Sequence, residues 1–549
     1  MIANIAPLIR LPAQADVFDY FVPKDLESTI KPGQLVKIPF RSSKVDGVIL
    51  ALAARQESKK FRARPIDSIL DQAPVLTQSQ LRLIKKFGEY YVVAPGRVAR
   101  LSVPERPERA SRAKPGAYAH IPFAVSRSQL PGLKEAAKRI SQTRFLRIQD
   151  VSSFVWLLLH LIKHSRQSQL LVLVPTIENI SAIAGSVQKV CSGKLAVIHS
   201  GLGKNAYWNE YQEVGSGRAR IILSTRQGVF LPIQQNSQII FFDSTSEDFK
   251  QYDQHPRYDA RIVGIWLANI TKSKLLFASS SEVIAEKQTA FLSLPASRSA
   301  PMTTVLVDMK NEMSRRDFSV IAGQTLEAIQ KALAQNKRVV VIALRQESER
   351  GVSVMGILEI LTKELKNCKV SSSLGQFDVL VATPQALEGL KLSSEKRNLG
   401  LLVFASIEPL LAIPDYRSGE RAYYRLSHWR LLAQELGFER IILQSYSPDS
   451  LAVGAFAYGA FETFRAAELK NRKELNYPPF SKLIKLSYRG NNQNSVSELK
   501  RRLPNANGPF TDMHKRQSLL IKLSRGAELP DLSELGEDWV IDRDPENVL

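Results

Sequence analysis

Two short apolar runs constrain this chain more than any other feature. Ile221–Leu223 ends in Ser224-Thr225-Arg226, and Ile239–Phe242 ends in Asp243. Runs this short, apolar throughout and closed by polar residues, predict strands buried on both faces of a parallel α/β sheet. In such sheets the carboxyl ends of the strands face the ligand crevice. In a protein driven by nucleotide hydrolysis, an aspartate placed like Asp243 holds Mg²⁺ and a neighbouring group orients the attacking water. Here Ser244, Thr245 and Ser246 follow it, and none can act as a carboxylate base. The fold signal is intact and the catalytic signal is damaged.

The same pattern extends on both sides. Residues 145–300 add runs at Leu170–Val174, Leu195–Ile198 and Leu275–Ala278. Residues 301–447 repeat it at Thr304–Val307, Val339–Leu344, Val379–Val381, Leu401–Phe404 and Ile441–Leu443, with helical stretches such as Gln324–Ala334 and Tyr423–Leu436 between them. Alternating strands and helices predict two tandem doubly wound α/β lobes. Residues 1–105 read differently. Short β-like runs at Ile2–Leu11, Val17–Val22, Gln34–Pro39 and Asp46–Leu52 are punctuated by turns such as Lys31-Pro32-Gly33, and a helix from Gln78 to Tyr91 follows, with Leu81, Ile84 and Phe87 at helical spacing. Residues 106–144, with Pro107, Pro115, Pro122 and Pro131, read as a linker. Residues 448–549 predict a small α+β domain: a basic helix at Phe464–Lys473, a rigid turn at Glu474–Phe480 and a strand at Ser481–Ser487.

Charge points to a partner class. Lys+Arg outnumber Asp+Glu by 75 to 53, a net charge of +22, which favours a polyanion, nucleic acid before membrane. The excess is uneven. Residues 465–525 are net +10 and the tail 526–549 is net −7, a tail that either pairs with a basic face of its own domain or is solvated. The segment Arg55–Arg64, RQESKKFRAR, is net +4 with one aromatic, a composition suited to tracking a phosphate backbone or to a plain solvated loop. The longest apolar stretch, near Phe154–Ile162, is interrupted by His160 and is too short to span a bilayer. No basic segment followed by an apolar core opens the chain, so a cytoplasmic location is expected. Two cysteines, Cys191 and Cys368, make neither a Cys₄ zinc site nor a disulfide framework.

Several motifs, in order, resemble the primosomal protein N′ (PriA) family of replication-restart helicases. VFDYFVP, KPGQLVKIPF and GVILAL look like the family's 3′-DNA-end-binding domain. LVLVPT, VIHSGL, ARIILSTRQGVF and DFKQYDQHPRYDAR look like the motifs and aromatic-rich loop of its first lobe. VATPQALEG and PDYRSGERA fall in the second, and NRKELNYPPFSKLIKLS and DWVIDRDPENVL in the carboxyl-terminal region. The resemblance covers nearly the whole chain. It implies a 3′-DNA-binding domain (1–105), a linker left from a winged-helix region (106–144), two RecA-like helicase lobes (145–300 and 301–447) and a carboxyl-terminal domain (448–549).

The departures from the family's pattern are chemical. A phosphate cradle needs glycine-rich backbone, a lysine and a Ser/Thr on Mg²⁺. At the corresponding place stands Arg147–Ser153, RIQDVSS, with Ser152 at the lysine position. The family's acid pair and histidine are Ser244, Thr245 and Ser246, and its third motif reads Ala278-Ser279-Ser280-Ser281. Its arginine fingers fall on Leu432 and Glu435, and its zinc-binding insert is absent. The chain thus resembles the degenerate members found in actinobacteria. No cofactor is expected, although the family uses ATP, Mg²⁺ and Zn²⁺. Ser152, Asp243 and Arg226 are remnants of the nucleotide site, Arg226 reaching a phosphate or Asp243.

By the same resemblance, Phe18, Asp19, Tyr20, Gly33 and Arg64 match the family's 3′-end pocket. There an aromatic stacks a terminal base, a carboxylate takes the 3′-hydroxyl hydrogen bond and a cation meets phosphate. From the residues alone, Phe18 and Tyr20 read also as core aromatics and Gly33 as a turn glycine. Phe249, Lys250, Tyr252, Arg257, Tyr258 and Arg261 interleave cations and aromatics, which suits single-stranded DNA, with internal packing of Tyr258 and Arg261 as the competing reading. Implied partners are forks, single strands and 3′ ends of DNA, single-stranded-DNA-binding protein, and primosome or replicative helicase-loading proteins, met by a monomer. The expected function is replication restart by DNA binding without ATP-driven unwinding. The alternative is an active ATP-dependent 3′→5′ helicase with a non-standard nucleotide site.

Overall fold

A computed structural model describes residues 1–9, 11, 17–53, 63–107, 125–164, 169–190, 195–285, 291–295, 302–313, 319–348, 352–392, 398–413, 415–492 and 494–548. Most of the basic stretch Arg55–Arg64 and much of the linker lie outside the described residues. The chain folds into two compact units. The first combines Met1–Phe123, Leu158–Ala278 and Ser481–Val548, and the second Ala124–Leu157 with Ser279–Phe480.

The first unit begins with a five-stranded antiparallel sheet, ordered Phe18–Phe21, Ile2–Pro7, Ser43–Ala53, Leu35–Phe40, Ser68–Ile69. Strand alternation turns Ala3, Ile5, Tyr20, Val36, Ile38 and Ile49 into one core. Gly33 closes the turn before the third strand at φ +89°, and a Cβ there would lie 2.1 Å from the Leu76 carbonyl oxygen. The Gly33 carbonyl takes the N–H groups of both Val75 and Leu76, which leads the chain into the next element.

That element is the helix Gln78–Tyr91, opened by a reciprocal Thr77–Gln80 capping box. Its buried face is Leu83, Ile84, Phe87 and Tyr91, with Leu81 only half-buried. Phe87 meets Phe230 and Tyr258 edge-on at 5.6 Å. The buried Gln80 amide donates to the Tyr211 hydroxyl at 3.0 Å and the Phe230 carbonyl at 2.8 Å. A polar residue inside the face is tolerated because its donors are satisfied.

Five parallel strands follow in the order Lys274–Ser279, Gln238–Phe242, Leu170–Leu173, Ile221–Ser224, Leu195–Ile198. Every residue of Leu170–Leu173, Ile221–Ser224 and Gln238–Phe242 is buried, as expected of a sheet covered on both faces. The unit ends in a four-stranded antiparallel sheet, ordered Asn507–Thr511, Gln517–Ser524, Ser481–Tyr488, Trp539–Arg543. The helix Asn494–Arg502 packs on it through Val496 and Leu499.

The second unit holds a six-stranded parallel sheet: Thr303–Asp308, Arg440–Ser445, Leu399–Phe404, Arg338–Ile342, Val379–Ala382, Val370–Ser371. Its two faces are covered by separate apolar clusters. The helix Ser418–Leu436 starts five residues before the expected Tyr423, because its charged first turn is paired inside the fold. Buried Glu420 accepts from Arg417 at 2.7 Å and Arg472 at 3.0 Å. Phe145–Arg147 and Phe291–Ser293 form a short parallel pair in the same unit. Among the described residues no helix is long and apolar enough to cross a membrane.

Candidate functional site

The expected end-binding residues lie on the outer strand of the amino-terminal sheet. Phe18 and Tyr20 sit on one face and Asp19 on the other, because neighbours in a strand alternate. Tyr20 is core, 5% exposed, with its hydroxyl donating to the Pro39 carbonyl at 3.0 Å. Asp19 is exposed and accepts from Asn4 Nδ2 at 2.5 Å. Half-buried Phe18 lies edge-on to Phe40, ring centres 5.3 Å apart. Arg64 is exposed beside the strand. Its carbonyl takes the Phe21 N–H, and its guanidinium donates to the Arg41 carbonyl at 2.9 Å. Burial raises the Tyr20 hydroxyl above its ordinary pKa, and the Arg64 charge opposes that rise. Gly33 serves the turn described above, a backbone role.

The sequence reading missed Phe40, Arg41 and Asn4. Arg41 occupies the hairpin tip at φ +54°, exposed, with its guanidinium 5.9 Å from the Phe40 ring centre. A Phe-Arg pair at a tight turn between two strands was the available signal. The result is an aromatic pair, Phe18 and Phe40, bordered by two exposed guanidiniums. A nucleic-acid end offers a base face and phosphates to such a surface.

The aromatic-rich loop is arranged otherwise. Phe249 and Lys250 are 0% and 1% exposed, and Tyr258 is 2% exposed. Phe249 packs on Phe241 at 5.1 Å, and Tyr258 on Phe87 and Phe230. Lys250 Nζ donates to Asp542 Oδ1 and the Arg543 carbonyl, both at 2.7 Å, and to the Arg257 carbonyl at 3.1 Å. Arg257 reaches Asp542 at 3.5 Å. Arg261 pairs with Asp259 and Glu546 and donates to the carbonyls of Ser244 and Ser246. Burial opposes ionisation of Asp259, yet Arg261 holds its carboxyl below the usual range. Next to this cluster, Tyr90 donates to Asp544 at 2.6 Å, and burial pushes that carboxyl up.

Of the six loop residues, Tyr252 alone is exposed. The expectation that all six face single-stranded DNA is therefore corrected for Phe249, Lys250, Tyr258 and Arg261: they are packed, and the cations among them are held by acids of the carboxyl-terminal segment. The reading of Tyr258 and Arg261 as internal packing fits this arrangement. The acidic tail does not simply lie in solvent, since Asp542 and Glu546 are buried against the loop.

The residues expected as remnants of a nucleotide site are equally engaged within the protein. In the second unit only Ile148, Gln149 and Asp150 separate the strand Phe145–Arg147 from the helix starting at Val151. An eight-residue phosphate cradle has no room there. Asp150 Oδ1 accepts the Ser153 N–H at 2.7 Å, and Oδ2 the Ser153 hydroxyl at 3.0 Å. Glu435 Oε1 accepts the Val151 N–H at 2.9 Å. Helix N-terminal N–H groups are the usual receivers of phosphate, and here two carboxylates take them. Ser152 follows, with no ammonium to offer. A nucleotide polyphosphate does not fit this end of the helix. In the first unit Asp243 is buried at φ +52°, its carbonyl taking the Ser246 N–H. Arg226 turns to the Asp248 carbonyl at 3.4 Å and the Tyr258 hydroxyl. Among the described residues no three His, Cys, Asp or Glu side chains come together as metal ligands.

Residues 8–104 match the 3′DNA-binding domain (3′BD) of PriA. Among curated proteins, the replication restart protein PriA of Synechocystis is 23% identical over 485 residues, covering 68% of this chain and 57% of that protein. PriA of Thermotoga maritima is 22% identical over 429 residues, 61% of this chain and 56% of that protein. PriA of Rickettsia felis is 20% identical over 597 residues, 91% of this chain and 89% of that protein. The chain spans little more than half the length of the first two relatives. The order of motifs and the amino-terminal domain match agree, and the chain is PriA-like, with α/β sheets following a match to the 3′DNA-binding domain.

Proposed function

We propose that this chain is a replication-restart protein that binds forked or single-stranded DNA and does so without hydrolysing ATP. The observation that carries the second half is the start of the helix at Val151. Asp150 and Glu435 take the N–H groups that would otherwise receive phosphate. Replacing them with a polyphosphate would bring anion against anion at a few ångströms, a cost of several kcal/mol at low effective dielectric (roughly 4 kcal/mol per unit pair at 4 Å). The DNA half is supported by the amino-terminal domain match and by exposed Arg41 and Arg64 beside Phe18 and Phe40. The protein partners implied by the family, single-stranded-DNA-binding protein and the helicase-loading proteins, belong to the same proposal.

Equilibrium binding to a labelled fork with and without Mg²⁺-ATP tests this reading. Superimposable isotherms are expected. A nucleotide-dependent shift in affinity would favour the alternative, an active 3′→5′ helicase with its nucleotide held elsewhere.

A further inference from the structure

A cleft in the first unit is lined by three arginines, of which Arg97 and Arg489 make no ion pair among the described residues. Its volume is about 560 Å³. Gly88, Val92, Val93, Trp539, Val540 and Ile541 contribute to its lining. Arg97, His255, Arg257 and Arg489 line it. These come from separate segments: the helix Pro95–Ser102, the loop before Tyr258, and the end of the strand Ser481–Tyr488. Arg257 shares Asp542 with Lys250. Arg97 and Arg489 make no ion pair among the described residues. The Arg489 backbone N–H donates to the Asp538 carbonyl at 2.8 Å. Among the described residues Glu537 is the one acid lining the cleft.

The groups respond to this crowding. Partial loss of solvent, then the charges of Arg97, Arg257 and Arg489, lower the His255 imidazole below its ordinary pKa. Loss of solvent, then Arg516 and Arg257, lower that of Arg489. Like charges repel, and Arg97 and Arg489, which make no ion pair among the described residues, gain when an anion enters. Trp539 adds an aromatic surface, half-buried against Tyr488 at 5.0 Å.

We infer that this cleft holds the sugar–phosphate backbone of a single-stranded DNA segment, Arg97 and Arg489 meeting phosphate oxygens and Trp539 offering a face to a base. Guanidiniums delivered by three separate segments around an open cleft suit a chain of repeating anions better than a single terminal carboxylate. The inference rests on the DNA-binding reading and adds a second binding surface, formed by residues outside the amino-terminal sheet.

The test is fluorescence anisotropy of a labelled oligothymidylate against the full chain across a salt series. It compares wild type with Arg97→Ala/Arg489→Ala and Arg97→Lys/Arg489→Lys, with circular dichroism and thermal melting confirming the fold. The alanine variant binds about tenfold more weakly at low salt, and its log-affinity slope against log salt flattens by about 1.4, ~0.7 for each phosphate no longer neutralised. The lysine variant keeps the slope. If wild type binds the oligonucleotide and the folded alanine variant matches it in affinity and slope, the cleft is not a DNA site while the DNA-binding reading stands. If wild type binds neither the oligonucleotide nor a fork, that reading itself falls. An acidic peptide that binds wild type, fails to bind the alanine variant and leaves the oligonucleotide in place would overturn the inference in favour of a protein partner.

Discussion

Two sets of charged residues in this chain meet opposite fates. In the aromatic-rich loop, buried Lys250 is held by Asp542 and half-buried Arg261 by Asp259 and Glu546, and at the start of the helix Val151–His164 N–H groups are taken by Asp150 and Glu435. On the amino-terminal sheet, Arg41 and Arg64 are exposed around an aromatic pair and meet no carboxylate among the described residues. The difference is instructive. Where a charge has its partner inside the fold, it stabilises structure and is closed to ligands. Where it is left on the surface beside an aromatic face, it remains available to a polyanion.

The comparison breaks most visibly at Lys250. Lys250→Ala strips Asp542 of its closest partner in a buried setting and is expected to cost about 3–5 kcal/mol in urea unfolding. Arg41→Ala and Arg64→Ala, by contrast, stay within about 0.5 kcal/mol of wild type, as exposed positions do. A Lys250→Ala protein as stable as wild type would show that the loop is not held as described.

Gly33→Ala comes next. The positive φ and the 2.1 Å approach to the Leu76 carbonyl predict a loss of about 3 kcal/mol, read as early melting of the amino-terminal sheet.

The exposed set is sharpened by binding. Arg64→Ala is expected to weaken fork binding about fivefold to thirtyfold without moving the melting temperature, since a charge-assisted contact is worth about 1–2 kcal/mol. Asp19→Ala should weaken binding to a free 3′-hydroxyl about tenfold and matter much less when the end carries phosphate. Equal loss on both ends would leave Asp19 with only its hydrogen bond to Asn4 to explain it.

The smallest effect is at the helix start. Glu435→Gln keeps an acceptor for the Val151 N–H and is expected to change stability by less than about 1 kcal/mol. Mg²⁺-dependent nucleotide binding gained by this variant would show that one carboxylate alone closes the site.

Much of the scaffold was legible because it depends on local pattern. Runs such as Leu170–Val174 and Leu401–Phe404 announce doubly covered strands by composition alone, and Thr77 with Gln80 announces a helix start. The departure of RIQDVSS from a glycine-rich phosphate-binding pattern was equally visible. The contacts that Asp150 and Glu435 make there were not. Glu435 lies 284 residues from Val151, and Asp542 lies 292 from Lys250. No periodicity or spacing reports pairs that far apart. The same blindness explains the loop: an alternation of cations and aromatics looks alike whether it faces a nucleic acid or a set of buried acids, and only the fold decides. Arg41 escaped notice because only its place at a hairpin tip brings it beside Phe40.

The most direct measurement is steady-state ATP hydrolysis by the purified chain, with Mg²⁺ and a fork at a concentration shown by anisotropy to saturate binding. The expected result is saturable fork binding and no hydrolysis above the buffer rate, with or without DNA. Fork-dependent turnover that disappears on Asp243→Ala would contradict the account, because it would require a working nucleotide site on a framework whose phosphate-receiving helix end is closed by Asp150 and Glu435.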